Sequence, residues 1–258
     1  FIMCIMSSSK LLASLFLLMA FKISFAQNFP LRPSQLIQEL KQGKQPFQKY
    51  APLTRASARI QQAAISLNNY TSVHLDKNLL KKIVRTHPEA LELSIPYNNE
   101  ILTVDLVQVN FLSKDFKVET SSGEPVEYKP GLFYRGTLKD DDHSIAAFTF
   151  FDDEFSAIIS SAEGNIVIGK MKDTAIAEEY LVYCDRNFKT LHQTSCTTID
   201  DPAFAEQLAA NIQSGASLRS DRCVRLYYEV DHDIFLQSGS ELTATVDWMT
   251  AVGNEVAT

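Results

Sequence analysis

The sequence predicts an α+β protein: a helical N-terminal segment, then an antiparallel β-rich domain, then the opening strand and helix of an α/β domain. Before residue 95, apolar residues recur at helical spacing in short segments. From about Leu91 to Cys184 they fall instead into runs of four to eight residues separated by turn signals. After Cys223, a strand-like run precedes an amphipathic segment, which is the order in which an α/β domain begins.

The N-terminus has the pattern of an export signal. An apolar run of eleven residues, Leu11–Phe21, is followed by the Ser-Phe-Ala of residues 24–26, the small residues that a signal peptidase reads. A membrane-spanning helix needs about 20 apolar residues, and Lys22 interrupts this run. We therefore predict cleavage after Ala26, a mature chain that begins at Gln27, a secreted or extracellular location and no stable membrane insertion.

The charge balance excludes one class of partner. Removal of residues 1–26 takes two of the 24 basic side chains and none of the 31 acidic ones, which leaves a formal charge of −9. Because phosphate binding needs a basic face, nucleic acid is not expected as a partner.

Two short helices are predicted in residues 27–95, a region expected to be mainly helical. The first spans Gln35–Gln42, with Ser34 as its N-cap and Gly43 at the left-handed stop position. The second is capped by Asp76 and ends before Pro88. The apolar face of the second helix consists of Leu79, Leu80, Ile83 and Val84.

Residues 96–184 are predicted to form the β-rich domain. Hairpin turns are expected at residues 152–153 and 163–165. Leu102, Val104 and Leu106 alternate with polar residues that include Asp105, a pattern typical of a sheet with one face in water. The predicted strands, with LELSIP beginning just before this region, are LELSIP, ILTVDLVQVNFL, FKVET, LFYRGTL, SIAAFTFF, FSAIISS, NIVIGKM and YLVYC.

A polar connector is predicted over residues 185–222, with one short helix between Pro202 and Ser214. Exposed connectors are where processing proteases cut, and Arg219 and Arg222 offer basic sites for a trypsin-like enzyme.

A new folding unit is predicted to begin at Cys223. Residues 224–230 have the composition of a strand, which residues 231–233 close. Ser240 is the expected N-cap of an amphipathic helix, on which Trp248 is read as a core residue. No stop signal follows, so we expect this domain to continue beyond residue 258. The apolar stripe of the helix contains Leu242, Val246, Met249, Gly253 and Val256.

The C-terminal unit and the β-rich domain resemble parts of a known family. VRLYYEVDHDIF, followed by the helix VDWMTAVGNEVA, resembles the start of the catalytic domain of reprolysin-like (adamalysin) zinc metalloproteases. KPGLFYRGTLKDDDHSIAAFTFFDDEFSAIISSAEGNIVIG is similar to the prodomain of the same family. The resemblance implies a signal peptide (1–26), an inhibitory prodomain (27–222) and the start of a metzincin-like catalytic domain (223–258) of a secreted metalloendopeptidase zymogen. Its implied partners are its own downstream catalytic domain and protein or peptide substrates.

The catalytic zinc site of that family is not in this chain. A metzincin needs two histidines one helical turn apart, a glutamate between them and a third histidine. HExxH is absent, and no two of the five histidines have that spacing. We therefore expect zinc in the full-length protein only, no catalytic residue here and no peptidase activity for this chain alone.

A structural calcium ion, which the resemblance also implies, is in doubt. Arg225 stands where the family has an acidic residue near the start of the first strand. Asp231 and Asp233 carry oxygen ligands suited to a cation, but acids at a strand end more often face water. His232, between them, is read as a surface or packing residue.

Three cysteines, an odd number, remain after signal removal: Cys184, Cys196 and Cys223. In an exported protein they can form one disulfide and leave one thiol. The resemblance implies another role, in which a prodomain thiolate occupies the open position on zinc. Cys196, in the connector, is the best candidate for that role, and both readings stay open.

A second function is compatible with the same sequence. A secreted, non-enzymatic β-rich binding or adhesion protein would share the signal peptide and the predicted strands.

Overall fold

A curled ten-stranded sheet forms the centre of the structure, and the predicted α+β class is confirmed at that level. The computed structural model describes residues 32–57, 66–171, 178–189 and 226–258. All of them belong to one unit, Arg32–Thr258.

The strands agree closely with the predicted apolar runs between residues 91 and 184. A small two-stranded hairpin, β6–β7, lies outside the main sheet, and its second strand was not predicted. The strands are β1 (Gln48–Tyr50), β2 (Leu53–Arg55), β3 (Thr71–Leu75), β4 (Ala90–Tyr97), β5 (Glu100–Val109), β6 (Val118–Glu119), β7 (Pro125–Val126), β8 (Leu132–Leu138), β9 (Asp141–Phe150), β10 (Phe155–Ser161), β11 (Gly164–Lys170) and β12 (Glu179–Cys184).

Four α-helices accompany these strands in the described residues: α1 (Pro33–Gln42), α2 (Lys77–Thr86), α3 (His232–Gln237) and α4 (Leu242–Val256). A single 3-10 turn, Asp185–Asn187, follows β12. The region predicted to be mainly helical contains α1 and α2, but it also contains β1, β2, β3 and most of β4. That prediction is therefore only partly correct, because strands of three to five residues are too short to show a clear period.

The strand order is β1-β4-β5-β8-β9-β10-β11-β12-β3-β2. All neighbours are antiparallel except β1 and β4. The edge strands β1 and β2 are consecutive in the chain and separated only by Ala51 and Pro52. The sheet therefore curls until a continuous piece of chain joins its two edges.

Aromatic side chains fill the inside of the curl. Phe155 stacks on Phe148, with ring centroids 6.3 Å apart and an interplanar angle of 7°, and on Tyr180 at 5.3 Å and 15°. Tyr134 meets Phe150 edge-on at 5.5 Å, and its hydroxyl donates to the Pro88 carbonyl oxygen at 2.7 Å. Burial of each such ring contributes about 1.5–3 kcal/mol, so this cluster is a large share of the core.

Helix α2 lies at one end of this core. Leu80 and Ile83 are fully buried among the residues inside the curl. The Asp76 carboxylate accepts hydrogen bonds from the backbone N–H groups of Asn78 and Leu79 at 2.8 and 3.1 Å. The predicted N-cap and apolar face are confirmed, and the helix ends at His87, which adopts a left-handed conformation.

Helix α1 differs from the prediction at both ends. It begins at Pro33, and its N-cap is Arg32 instead of Ser34. Pro33 suits the first helical position because its fixed φ is helical and its missing N–H has no partner there. At the other end Gly43 keeps right-handed angles, and Lys44 is the residue with positive φ.

The outer face of β5 is covered, which the alternation in the sequence did not predict. Asp105 is 2 % exposed, and its carboxylate lies 2.7 Å from the Lys41 ammonium of α1. Ile37 of the same helix is fully buried. Alternation identifies the two faces of a strand, but the helix that packs on the second face decides whether that face is in contact with water.

The C-terminal region departs most from the prediction. Residues 226–230 belong to no strand, and the Tyr227 side chain is 88 % exposed. Strand-forming composition stabilises a strand only where a neighbouring strand is available for pairing. Asp231 therefore does not close a strand, and its carboxylate accepts from the Asp233 N–H at 3.3 Å as the N-cap of α3.

Gly136 is the position where the sheet tolerates no side chain. A Cβ there would lie 1.8 Å from the Asp105 carbonyl oxygen of the paired strand β5. We expect Gly136→Ala to lower the free energy of unfolding by about 3 kcal/mol, because the β5–β8 backbone must shift. Urea unfolding followed by circular dichroism measures this.

Gly169→Ala in β11 is the matched control, since nothing lies within 4 Å of its added Cβ. It should be neutral or slightly stabilising. Equal destabilisation by the two substitutions would show that the close approach at Gly136 is unimportant.

Candidate functional site

Helix α4 lies on the outer face of β9 and β10, and this contact is the candidate site. The helix begins at Leu242, after Glu241, so the predicted N-cap Ser240 is wrong. Val246 and Gly253 are buried as predicted, whereas Leu242 and Val256 are exposed. The buried side of the helix is largely polar and consists of Thr245, Val246, Thr250, Ala251, Gly253 and Asn254.

Asn254 is fully buried and fully bonded at the centre of this contact. Its side-chain amide donates to the Phe148 carbonyl oxygen at 3.1 Å and to Thr149 Oγ1 at 3.2 Å. Its Oδ1 accepts from Arg135 Nε at 3.2 Å. One amide thus joins the helix to backbone and side-chain groups of two strands.

The Arg135 guanidinium is itself held between the helix and an aromatic ring. It lies 5.8 Å from the Phe111 ring centroid, within the range of a cation–π interaction. Phe111 in turn meets Phe133 edge-on at 4.7 Å. A Cβ on Gly253 would lie 3.3 Å from the Phe111 ring, so the small residue lets the helix approach closely.

A second polar contact joins α4 to the loop before β8. The Tyr128 hydroxyl donates to Asp247 Oδ1 at 2.7 Å and lies 3.0 Å from Thr250 Oγ1. Burial raises the pKa of Asp247 to about 6, while the Tyr128 hydrogen bond opposes that rise. Negative charge nearby raises the pKa further and comes from Glu154, Asp153 and Asp152.

Several large apolar side chains of the C-terminal region are exposed. Trp248, predicted to be core, is 47 % exposed, because the buried stripe of α4 runs through Thr245 and Thr250 instead. In the described residues, seven of the eleven exposed large apolar side chains lie between residues 226 and 258. The seven are Leu226, Tyr227, Tyr228, Leu236, Leu242, Trp248 and Val256.

Cys184 is the one predicted site residue that the structure describes. It is a free thiol, 8 % exposed, 3.8 Å from the Glu163 carbonyl oxygen and 3.5 Å from Asp185 Oδ1. The other candidates lie outside the described residues, so both roles proposed for the cysteines stay predictions. Those residues are Ala26, Gln27, Cys196, Arg219, Arg222 and Cys223.

Within the described residues, no group of three or more His, Cys, Asp or Glu side chains converges to hold a metal ion. Asp231 and Asp233 are part of the α3 cap. His232 is exposed and its ring centroid lies 6.0 Å from that of Phe235, a packing position. In the same part of the chain, no helix is long and apolar enough to cross a membrane.

No protein-family model matches the sequence, and a comparison with curated proteins found no significant match. The reprolysin-like resemblance therefore depends on the motifs alone.

The residues that form the contact between α4 and the sheet were not predicted from the sequence, although the sequence contains one indication of them. Thr245, Thr250 and Asn254 lie on the helical face that contains Val246. Polar residues at the spacing of an apolar stripe indicate a buried polar face. The partners Tyr128 and Arg135 carry no comparable signal, because they are distant in sequence.

Asn254→Ala tests the amide contact. We expect the free energy of unfolding to fall by about 2–3 kcal/mol, because a buried carbonyl and a partly buried guanidinium lose their partner. Urea unfolding followed by Trp248 fluorescence measures the loss where it occurs, since Trp248 is the single tryptophan and lies on α4. Thr243→Ala on the exposed side of α4 is the control, and an equal loss there would contradict the assignment.

The acid in the contact predicts a pH dependence. Because the folded pKa of Asp247, about 6, exceeds the ordinary value of 3.8, the folded state takes up a proton. Its stabilising effect is complete below about pH 4 and is lost as the pH rises through about 6. The groups facing this carboxyl are Tyr128, Thr250, Asp153, Glu154 and Asp152, the last paired with Lys129 at 2.9 Å.

We therefore expect a higher urea midpoint at pH 5 than at pH 7, measured by Trp248 fluorescence. Asp247→Asn keeps an acceptor for Tyr128 and removes the charge, so most of this difference should disappear. A difference of unchanged size in the variant would assign the effect to other acids, such as Glu255, whose pKa burial also raises.

Proposed function

We propose that this chain is the N-terminal part of a secreted, zinc-dependent metalloendopeptidase precursor. In this proposal residues 1–26 are the signal peptide, residues 27–222 are a prodomain that folds and inhibits the enzyme, and residues 223–258 begin the catalytic domain. The reaction of the full-length protein is peptide-bond hydrolysis. Zinc would supply an activated water there, from ligands that are not in this chain.

One observation carries the proposal: α4 is bound to the β-rich domain through a polar contact, while several large apolar side chains of the C-terminal region remain exposed. In the polar contact Asn254 and Tyr128 are hydrogen-bonded. Trp248 is exposed along the helix, and Leu242 and Val256 are exposed at its two ends. Large apolar side chains left exposed in one segment suit a place where further protein binds, and a catalytic domain that includes α4 would supply that cover.

In this arrangement the β-rich domain inhibits the enzyme by holding the catalytic unit in one position. It holds α4, a helix of the catalytic unit, by bonds to strands β8 and β9, and so fixes how the rest of that unit lies against the prodomain. Asn254 and Arg135 are the central contacts. Separation of the two parts would break these hydrogen bonds and their packing, a cost that favours the inhibited state.

Burial of the thiol decides which cysteine we propose as the ligand that blocks zinc. The Cys184 thiol is buried beside the β10–β11 turn, near the Glu163 carbonyl oxygen and Asp185. A buried thiol does not suit a ligand that must reach a metal on another domain, so we propose Cys196 for the blocking role. Its thiolate would compete with the water on zinc.

The test uses the full-length precursor and a peptide substrate. We expect Cys196→Ser to raise the activity of the unprocessed precursor at least tenfold, which corresponds to about 1.4 kcal/mol of lost inhibition. Cys184→Ser is the matched control and should leave the activity unchanged.

Three other outcomes have different meanings. Unchanged activity in a stably folded Cys196→Ser precursor would exclude the blocking role only. A fully processed protein without peptidase activity would exclude the metalloendopeptidase itself. Loss of stability together with a newly free thiol would favour the disulfide.

A secreted, non-enzymatic binding protein is the second candidate. A preformed cavity at one end of the curled sheet favours it.

A further inference from the structure

The curled sheet has an open end, opposite to the end where α2 lies. Three hairpin turns surround it: Asn98-Asn99 between β4 and β5, Lys139-Asp140 between β8 and β9, and Ala162-Glu163 between β10 and β11. They enclose a cavity of about 680 Å³, which we call the mouth. This volume lies in the range of small-ligand sites, which often occupy the ends of curled sheets.

The rim of the mouth is rigid. Each of the three turns has two residues. Asn98 and Asp140 have positive φ within their turns, as does Gly164, the first residue of β11, just after the third turn. The Asn98 N–H donates to Thr71 Oγ1 at 2.7 Å, and Asn69 Nδ2 donates to Asn98 Oδ1 at 2.9 Å. A ligand therefore meets a preformed site and loses little free energy in ordering it.

The chemistry of the mouth is apolar inside and acidic at the rim. Leu102, Leu138 and Ile166 line it together with the Tyr97 ring, and no lysine or arginine lines it. Leu102 and Leu138 pack against the core, so the cavity continues the apolar inside of the sheet to the surface. The acidic side chains at the rim are Glu100, Asp141 and Glu163.

The three carboxylates have no cationic partner among the residues that the structure describes. Two arginines lie nearby, but their guanidinium groups bind backbone. Arg55 donates to the Glu100 carbonyl oxygen at 3.0 Å, and Arg186 to the Ala162 carbonyl oxygen at 3.5 Å. Asp141 Oδ1 accepts from the His143 N–H at 3.1 Å, and the carboxylates can still receive a positive group from outside.

We propose that the mouth binds a small organic ammonium ion with an apolar body, a primary alkyl or arylalkyl amine in its protonated form. The apolar body lies against Leu102, Leu138 and Ile166, where it leaves water. The ammonium group lies among the rim carboxylates, and the Tyr97 ring offers a cation–π contact. The acidic balance of the chain attracts such a ligand and repels the corresponding carboxylate.

This inference does not depend on a protease function. The mouth lies at the turns of β4–β5, β8–β9 and β10–β11, whereas α4 binds strands β9 and β10. A failure of one proposal therefore leaves the other standing.

Three ligands of equal chain length separate charge from apolar binding. Hexylammonium, hexanol and hexanoate are titrated into the full chain at pH 7 and low salt, with binding measured by calorimetry. We expect hexylammonium to bind at least tenfold more tightly than hexanol, and hexanoate to show no binding. Equal affinity for hexylammonium and hexanol, tighter binding of hexanoate, or no binding of hexylammonium would overturn the proposal.

Charge-removing substitutions then locate the site. Glu100→Gln and Glu163→Gln, both at exposed turn positions, should each weaken hexylammonium binding at least threefold, and together at least tenfold. Glu124→Gln, in the β6–β7 hairpin, removes the same charge away from the mouth and should leave binding unchanged. A loss in Glu124→Gln equal to that in the rim variants would show unspecific attraction to an acidic protein.

Discussion

The short link between β1 and β2 is the constraint on which the rest of the structure depends. Two residues, Ala51 and Pro52, join strands that pair at opposite edges of a ten-stranded sheet. A chain extends by at most about 3.6 Å per residue, so the edges must lie close together and the sheet must curl. The curl creates an inside for the stacked aromatic rings, an outside for α1 and α4, and two ends, one beside α2 and one open.

The outer layer explains why β5, β8 and β9 are buried on both faces. Helix α1 packs on all three strands, and α4 packs on β9 and its neighbour β10. The outer face is not simply apolar, because Asp105, Arg135 and Asn254 bring charge and amide groups into it. Each of these groups has a partner on the facing element, which makes the position of each helix specific.

Local chemistry was sufficient for much of the fold, and long-range packing accounts for the rest. FSAIISS and LFYRGTL became β10 and β8 without change, and Asp76 caps α2, because strand runs and caps depend on neighbouring residues. The burial of Asp105 and the exposure of Trp248 depend on which helix covers which face, and a single sequence does not record that. Of the candidate site, the sequence predicted the helix that follows Ser240, but not the polar contact that holds it.

The place of α4 at the end of the described chain has a consequence for synthesis. Phe148 precedes Asn254 by 106 residues, so β8 and β9 are made, and can pair, before Asn254 is translated. Until then the backbone carbonyl of Phe148 and the guanidinium of Arg135 remain hydrated, because their partner does not yet exist. During synthesis the outer layer of the β-rich domain is therefore incomplete until α4 is made and Asn254 binds strands β8 and β9.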